Sequence, residues 1–306
     1  MSRIYDALQR ADNERKSAQG SDATGFTEPD AVPGAEAMPS IKAEVIIENI
    51  AAHSWKPSAA FLPTLGDSGE NIEQFRSLRS QVYQYCDQSP LKTILVSSGV
   101  PAEGKTFVAA NLAVSLARNK DNSVLLIDGD LRSPSLHAIL GAPDIPGLTE
   151  YLMGDAEPGD IMQRNQNPRF IDASQMRSIP NLTFIPAGAG GDNSSELVAN
   201  HRIEELIAIV SPHFDWILID SPPVLAVADA IDLARAADAV LLVARGATTP
   251  YDVAQRAQAA FSNSRILGFV LNAVKDVPAS ASYYYYYDKQ EAGSGLYGRK
   301  DKGRQG

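Results

Sequence analysis

Cysteine is almost missing from this chain. Its 306 residues include one, Cys86, so a disulfide framework and a cysteine cage for a metal or iron–sulfur cluster are both excluded. No apolar run is long enough to span a bilayer, and the opening residues lack the apolar stretch of a signal peptide. Positive charge is also short. The 27 Lys and Arg against 37 Asp and Glu give a net charge of -10, so the chain does not seek nucleic acid or anionic lipid by charge. Any membrane role is therefore expected to come through a partner. Hydrophobic residues are plentiful at 44%, enough for one sizeable core with length left over for tails.

The stretch that organises the chain runs from Gly99 to Thr106, Gly-Val-Pro-Ala-Glu-Gly-Lys-Thr. It fits G-x-x-x-x-G-K-[ST], a phosphate-binding loop. Thr93-Ile94-Leu95-Val96 before it reads as a buried strand, and Phe107 to Ala117 after it reads as a helix. A chance glycine turn would not need both. Gly99 and Gly104 are expected to let the backbone curl around a phosphate above the helix N-terminus. Lys105 would reach the β- and γ-phosphates, and Thr106 would offer a hydroxyl to Mg²⁺.

Residues 1–16 read as a short docking helix or a frayed terminus. Residues 17–62, rich in Gly, Ala, Pro, Ser and acid, read as a flexible linker. A domain at 63–277 follows, then a tyrosine-rich tail at 278–306. Within the domain, Asn71 to Cys86 reads as a helix carrying Glu73, Arg76 and Arg79 on one stripe. Val124-Leu125-Leu126-Ile127 reads as a buried strand running into Asp128-Gly129-Asp130-Leu131-Arg132. Asp128 and Asp130 then sit at a strand's carboxyl end, where open α/β sheets bind ligands, or they are turn residues. Ser133 is expected to cap the next helix, with Pro134 in its first turn. Further strands are expected at Asn181–Gly188, Phe214–Asp220, Ala239–Ala244 and Arg265–Asn272, with helices between. An apolar strand ending in Asp220 downstream of a phosphate loop suits a second Mg²⁺ element. The alternation predicts an α/β fold, a doubly wound and mostly parallel sheet with helices on both faces. In the tail, Tyr283, Tyr284, Tyr285, Tyr286 and Tyr287 are consecutive and Tyr297 follows. They read as exposed phenols on a mobile segment, or else as an edge strand or interaction patch.

Taken together, these residues resemble the bacterial tyrosine kinase family, P-loop NTPases related to the partitioning and division-site ATPases. The resemblance runs from Glu73 to the C-terminus. It rests on the phosphate loop, on Asp128-Gly129-Asp130-Leu131-Arg132 as a second motif, on Asp220, on Gly147-Leu148-Thr149 and on the tyrosine tail. The opening Met-Ser-Arg-Ile-Tyr-Asp-Ala-Leu-Gln-Arg-Ala resembles autokinases encoded with exopolysaccharide clusters. Val100 stands where the partitioning group has a second lysine, and Ala102 stands where many family members have glycine. A positive φ at Ala102 would be strained.

The resemblance implies an ATP- and Mg²⁺-dependent autokinase of exopolysaccharide or capsule synthesis, acting between subunits through cycles of assembly and disassembly. Lys105, Asp128 and Asp130 would be catalytic, with Asp128 the candidate base. Gly99, Ala102, Glu103, Gly104, Lys105, Thr106, Phe107 and Asn272 would bind nucleotide, Asn272 at the adenine. Thr106, Asp128, Asp130 and Asp220 would hold Mg²⁺. Tyr283, Tyr284, Tyr285, Tyr286, Tyr287 and Tyr297 would be phosphoacceptors. Glu73, Arg76 and Arg79 would join subunits in a ring-like homo-oligomer. The implied partners are a separate transmembrane polysaccharide co-polymerase as activator and a cognate tyrosine phosphatase, with no nucleic acid. The implied location is the cytoplasm, at the inner face of the plasma membrane. A switch ATPase and a nucleotide-binding adaptor remain as alternatives.

Overall fold

Short apolar runs set the centre of the molecule. The computed structural model describes residues 50–66, 69–166, 179, 181–190, 194–199 and 201–274. The expected docking helix at 1–16, most of the expected linker and the tyrosine tail lie outside the described residues. In chain order the elements are β1 (Ala51–His53), α1 (Glu70–Gln88), β2 (Thr93–Ser98), α2 (Lys105–Ala117), β3 (Val124–Asp128), α3 (Leu136–Leu140), α4 (Leu148–Met153) and β4 (Gln163–Asn165). Then follow β5 (Leu182–Ile185), α5 (Ser194–Val198), α6 (Arg202–Val210), β6 (Trp216–Asp220), α7 (Asp229–Arg235), β7 (Ala239–Arg245), α8 (Tyr251–Ala260) and β8 (Ile266–Asn272).

Among the described residues the strands form one sheet in the order β1-β4-β5-β3-β6-β2-β7-β8. Every pairing is parallel except β4 with β5. Strand residues alternate between two cores, as a pleated sheet buried on both faces requires. Leu95, Leu125, Ile127, Ile217, Ile219, Val240 and Leu242 face one layer, packed with Leu148, Leu206, Leu233 and Ala257 from α4, α6, α7 and α8. Ile94, Val96, Leu126, Phe184, Leu218 and Leu241 face the other, packed with Leu112 and Leu116 of α2 and with Phe75 and Val82 of α1. Helices therefore cover both faces, the expected doubly wound arrangement.

The N-terminal boundary differs from the sequence reading, which ended the linker at residue 62. Residues 50–62 belong to the body of the domain. β1 pairs with β4 at the sheet edge. Trp55 is buried edge-on against Phe184, 6.1 Å between ring centroids, and its Nε1 donates to Gln163 Oε1 at 3.2 Å. Leu62 is buried too, and Asn111 Nδ2 donates to Phe61 O at 2.8 Å. Ala-Ala-His and Gln-Arg-Asn carry no apolar run, so β1 and β4 have no periodic signal to read.

Register places the site. β3 and β6 pair Asp128 with Asp220, and β2 beside β6 pairs Val96 with Asp220. The carboxyl ends of the three central strands therefore lie together where the loop after β2 begins.

Candidate active site

The loop from Gly99 to Gly104 joins β2 to α2, and its curl comes from two residues. Ala102 has φ +64° and Gly104 has φ +95°. A Cβ at Gly104 would run into Asn272 Nδ2, and the φ of +95° strains any other residue there. Gly99 acts differently from the expectation: its φ is not left-handed, and a Cβ there would sit 3.2 Å from Val253 and 3.3 Å from Ala257. It lets α8 pack close. The first hydrogen bond closing the N-terminus of α2 runs from Val108 N to Gly104 O at 3.0 Å. The N–H groups of Lys105, Thr106 and Phe107 thus have no intrahelical partner and suit an anion.

The loop is tethered from three sides. Glu103 is buried, and its carboxylate accepts from Val100 N at 2.9 Å and from the Thr249 hydroxyl. Thr249 Oγ1 in turn accepts from Arg245 N at 2.9 Å, while Arg245 Nη1 donates to Ala102 O at 3.1 Å. Asn272 Nδ2 donates to Glu103 O at 2.9 Å. Arg245 and Thr249 were not singled out from the sequence. They lie in an ordinary strand-to-helix turn, and no spacing marks them.

Opposite the loop stand three carboxylates and one lysine. Lys105 Nζ lies 2.9 Å from Asp130 Oδ2, and both side chains are largely buried. The Thr106 hydroxyl is 3.4 Å from Lys105 Nζ. Asp128 Oδ2 accepts from Ser135 N at 3.1 Å and Leu136 N at 3.0 Å, and its Oδ1 accepts from Asp130 N at 3.3 Å. Asp128 therefore satisfies the start of α3, which begins two residues later than expected. Ser133 does not cap it; its N–H donates to Asp130 Oδ1 at 3.1 Å. Asp220 is completely buried, and neither carboxylate oxygen has a hydrogen-bond partner among the described residues.

Burial first, and then the neighbouring charges, set the titration. Burial pushes Asp128 up from its ordinary 3.8 to about 6, against the pull of its backbone N–H donors. Burial pushes Asp220 up to about 8, opposed by Lys105 and reinforced by Asp128. The Thr106 hydroxyl lies close enough to lower Asp220 slightly, yet does not reach hydrogen-bond geometry with it. Burial lowers Lys105, but Asp220, Asp130 and Asp128 together outweigh it and hold the ammonium above its ordinary value. One ammonium stands against three carboxyl groups, and the site can hold all three ionised only if a further cation joins it.

A cleft of about 750 Å³ opens beside the loop between α1 and β8, and both Phe107 and Asn272 line it. Phe107 also packs against Phe75 of α1, 5.8 Å between ring centroids. Asn272 ends β8 with Nδ2 on the loop and Oδ1 accepting from Ala273 N at 2.9 Å. Away from this cleft, Arg76 pairs with Glu73 along α1, and Arg79 Nη1 donates to Ser115 O of α2 at 2.6 Å. The structure thus brings Gly99 to Phe107, Asp128, Asp130, Asp220 and Asn272 together and leaves Glu73, Arg76 and Arg79 on a separate surface. Tyr283 to Tyr287 and Tyr297 lie outside the described residues.

The AAA domain family profile matches residues 92–251, just over half of the chain. Over 221 residues the chain is 32% identical to Tyrosine-protein kinase YwqD of Bacillus subtilis, covering 72% of this chain and 87% of that protein. The chain belongs to the bacterial tyrosine-protein kinase family. A second member of that family, Tyrosine-protein kinase wzc of Salmonella typhimurium, is 33% identical over 219 residues. That match covers 71% of this chain and 29% of the relative, so the chain spans under a third of the relative's length. The kinase domain of Escherichia coli tyrosine kinase ETK superposes with a TM-score of 0.59 at 28% identity, covering 66% of this chain and 76% of that one. Among the described residues, no helix is long and apolar enough to cross a membrane.

Proposed function

We propose that the chain is an ATP-dependent protein-tyrosine autokinase that modifies its own tail tyrosines between subunits and so regulates exopolysaccharide or capsule assembly. Asp220 carries the phosphoryl-transfer reading. A buried carboxyl with two unpartnered oxygens, beside a loop lysine, keeps its proton up to about pH 8 and is a place for an external cation that displaces that proton. Mg²⁺ fits: it takes one or two carboxylates, substrate phosphates and several waters. Bound Mg²⁺ would neutralise charge across the β- and γ-phosphates.

The chain's own residues supply the rest. Asp220 and the Thr106 hydroxyl would hold the ion, with Asp128 and Asp130 beside it. The N–H groups at the start of α2 bind phosphate, and Lys105 moves from Asp130 to the γ-phosphate as charge shifts in the transition state. Phe107 and Asn272 bound the cleft for the base. A tyrosine hydroxyl, with a free pKa near ~10, gives up its proton during transfer. Asp128, raised to about 6, is ionised at neutral pH and is the proposed acceptor. The proposed acceptors are Tyr283 to Tyr287, consecutive in sequence, and Tyr297. Glu73, Arg76 and Arg79 would join subunits of a ring, a membrane co-polymerase would activate it, and a phosphatase would reset it, at the cytoplasmic face of the membrane. The proposed organisation keeps an N-terminal docking segment and linker, a kinase core and the tyrosine tail.

The test is incubation of the pure protein with γ-labelled ATP and Mg²⁺. Label on the tail tyrosines supports the reading. Free phosphate without labelled tyrosine assigns a switch ATPase instead, and neither product assigns a binding adaptor.

A further inference from the structure

The turn after β3 has a further anchor, away from the phosphate loop. Arg132 closes the run Asp128-Gly129-Asp130-Leu131-Arg132, and its Nε donates to Asp229 Oδ2 at 3.1 Å. Asp229 is the first residue of α7. Its side chain is 4% exposed, against 42% for Arg132. A buried carboxylate on one element thus meets a half-exposed guanidinium on another.

Asp229 is a firm mount. The chain between Asp220 and α7 is stitched to β2 and to the start of the phosphate loop. Ser221 N donates to Val96 O at 3.1 Å, Val224 N to Ser98 O at 2.9 Å and Leu225 N to Gly99 O at 3.2 Å. Ala230 and Leu233 of α7 sit in the same core layer as Leu131. The turn itself is held by short contacts around Asp130. Gly129 N donates to Asp220 O at 2.8 Å. Asp130 Oδ1 accepts from Ser133 N at 3.1 Å, while its Oδ2 lies 2.9 Å from Lys105 Nζ. Arg132 lies between Asp130 and Ser133 in the chain, so the point where it is tied governs how this turn closes. An ion pair with a buried member adds little net stability, because desolvating the carboxylate offsets the Coulomb gain. What it fixes is direction, since a guanidinium meets a carboxylate in few geometries.

We propose that Asp229 is a positioning residue for phosphoryl transfer: through Arg132 it sets the turn that aims Asp130 at Lys105 and the reacting phosphate. The inference rests on the phosphoryl-transfer reading for the work that Asp130 does. The N–H groups at the start of α2 bind ATP without this turn. The pair therefore acts on the transition state and little on ground-state binding.

The test is steady-state transfer from γ-labelled ATP by the full chain, at a temperature where circular dichroism shows each variant folded. Asp229→Asn keeps the shape and removes the charge. Its kcat should fall about tenfold while KM for ATP changes less than about threefold. Arg132→Lys keeps a cation beside Asp229 and should lose less than Arg132→Gln. In an Asp130→Asn chain, Asp229→Asn should cost nothing further, because its effect runs through Asp130. Without nucleotide, hydrogen exchange at the Asp130 and Ser133 amides should quicken about tenfold in Asp229→Asn, while the Val108 amide of α2 keeps its rate. A change in KM alone, an undiminished kcat, multiplying losses in the Asp130→Asn chain, lysine no better than glutamine, or unchanged exchange overturns the assignment. If Asp229→Asn fails to fold, Arg132→Gln, altered at the half-exposed partner, carries the same comparisons. Tyrosine labelling that Asp229→Asn leaves intact overturns the positioning role and leaves the kinase reading standing. A wild-type chain that releases phosphate but labels no tyrosine sinks the autokinase; the same kcat loss, read on phosphate release, then still supports Asp229. A chain that turns over no ATP overturns both.

Discussion

Asp128 and Asp220 end neighbouring strands side by side, yet Asp128 accepts three backbone N–H groups and Asp220 accepts none. Burial raises both. What separates them is the supply of donors. The residues after β3 turn back at once, so Ser135 and Leu136 of the α3 start meet Asp128. After β6 the chain runs on through Ser221-Pro222-Pro223, and two prolines have no N–H to offer. One carboxylate is pinned by the fold. The other is left for something the chain does not contain, and it destabilises the ligand-free protein as the condition for binding.

The largest expected effect tests the open member. Asp220→Asn keeps the shape and removes the charge. Tyrosine phosphorylation should fall at least ~100-fold, measured by label transfer at saturating ATP and Mg²⁺. The ligand-free protein should melt higher, by ~2–5 °C, because a buried carboxylate without partners is gone; an unpaired amide offsets part of that gain. A lower melting point would mean that Asp220 has stabilising partners, and the contrast would collapse.

The same substitution at the pinned member should have the opposite sign for stability. Both Asp128 oxygens accept from backbone N–H groups. In Asp128→Asn one of them becomes an amide that faces a donor with a donor. The expected cost is ~1–3 kcal/mol, read as a lower denaturant midpoint with an unchanged slope. Transfer should fall further than nucleotide affinity if Asp128 takes the phenolic proton. Equal losses would leave it as a structural cap alone.

A pH scan sharpens the comparison without changing the chain. Both carboxylates bind a proton more tightly when folded than at the ordinary 3.8. Stability from this source is complete below about 3.8 and is lost as pH rises, through about 6 for Asp128 and about 8 for Asp220. The melting temperature of the ligand-free protein should therefore drop between about pH 4 and about pH 8, with Asp220 alone carrying the part above about pH 6. Asp220→Asn should flatten the upper part of that slope. Parallel slopes in the two proteins would show that Asp220 ionises normally.

Much of this contrast was visible before the structure, and part of it had no reason to be. Apolar runs closing on Asp128 and Asp220 marked both strand ends, because a buried parallel strand must be continuously apolar and its ligand must lie at its carboxyl end. The loop lysine was legible from spacing alone. Which aspartate would be satisfied was not, since that depends on where the chain turns after each strand. Ser133 looked like the better cap by residue type, and geometry passed the task to Asp128. β1 and β4 were invisible for a related reason: three-residue strands, one at the sheet edge and one beside it, are made by their neighbours, here through Trp55 and Gln163. The tethers from Arg245, Thr249 and Asn272 join positions more than 140 residues apart in sequence.

The smallest expected effect concerns Ala102. Its φ of +64° costs an L-residue about 1 kcal/mol. Ala102→Gly removes that strain but adds freedom to the unfolded chain worth ~0.5–1 kcal/mol. The two terms nearly cancel, and global stability should shift by less than ~0.5 kcal/mol. The tethers should feel the change instead. Thr249→Val removes the hydroxyl between Arg245 N and the buried Glu103 carboxylate and should weaken nucleotide binding about 3- to 10-fold. Combined with Ala102→Gly the loss should be smaller. Glycine visits both signs of φ about equally, a cost of about 0.4 kcal/mol, which is less than the strain it relieves. A double-mutant cycle on nucleotide affinity should then show a coupling of ~0.5 kcal/mol. Strictly additive losses would mean that the Thr249 tether holds Glu103 without holding the curl at Ala102, and that the loop keeps its shape by Gly104 and Asn272 alone.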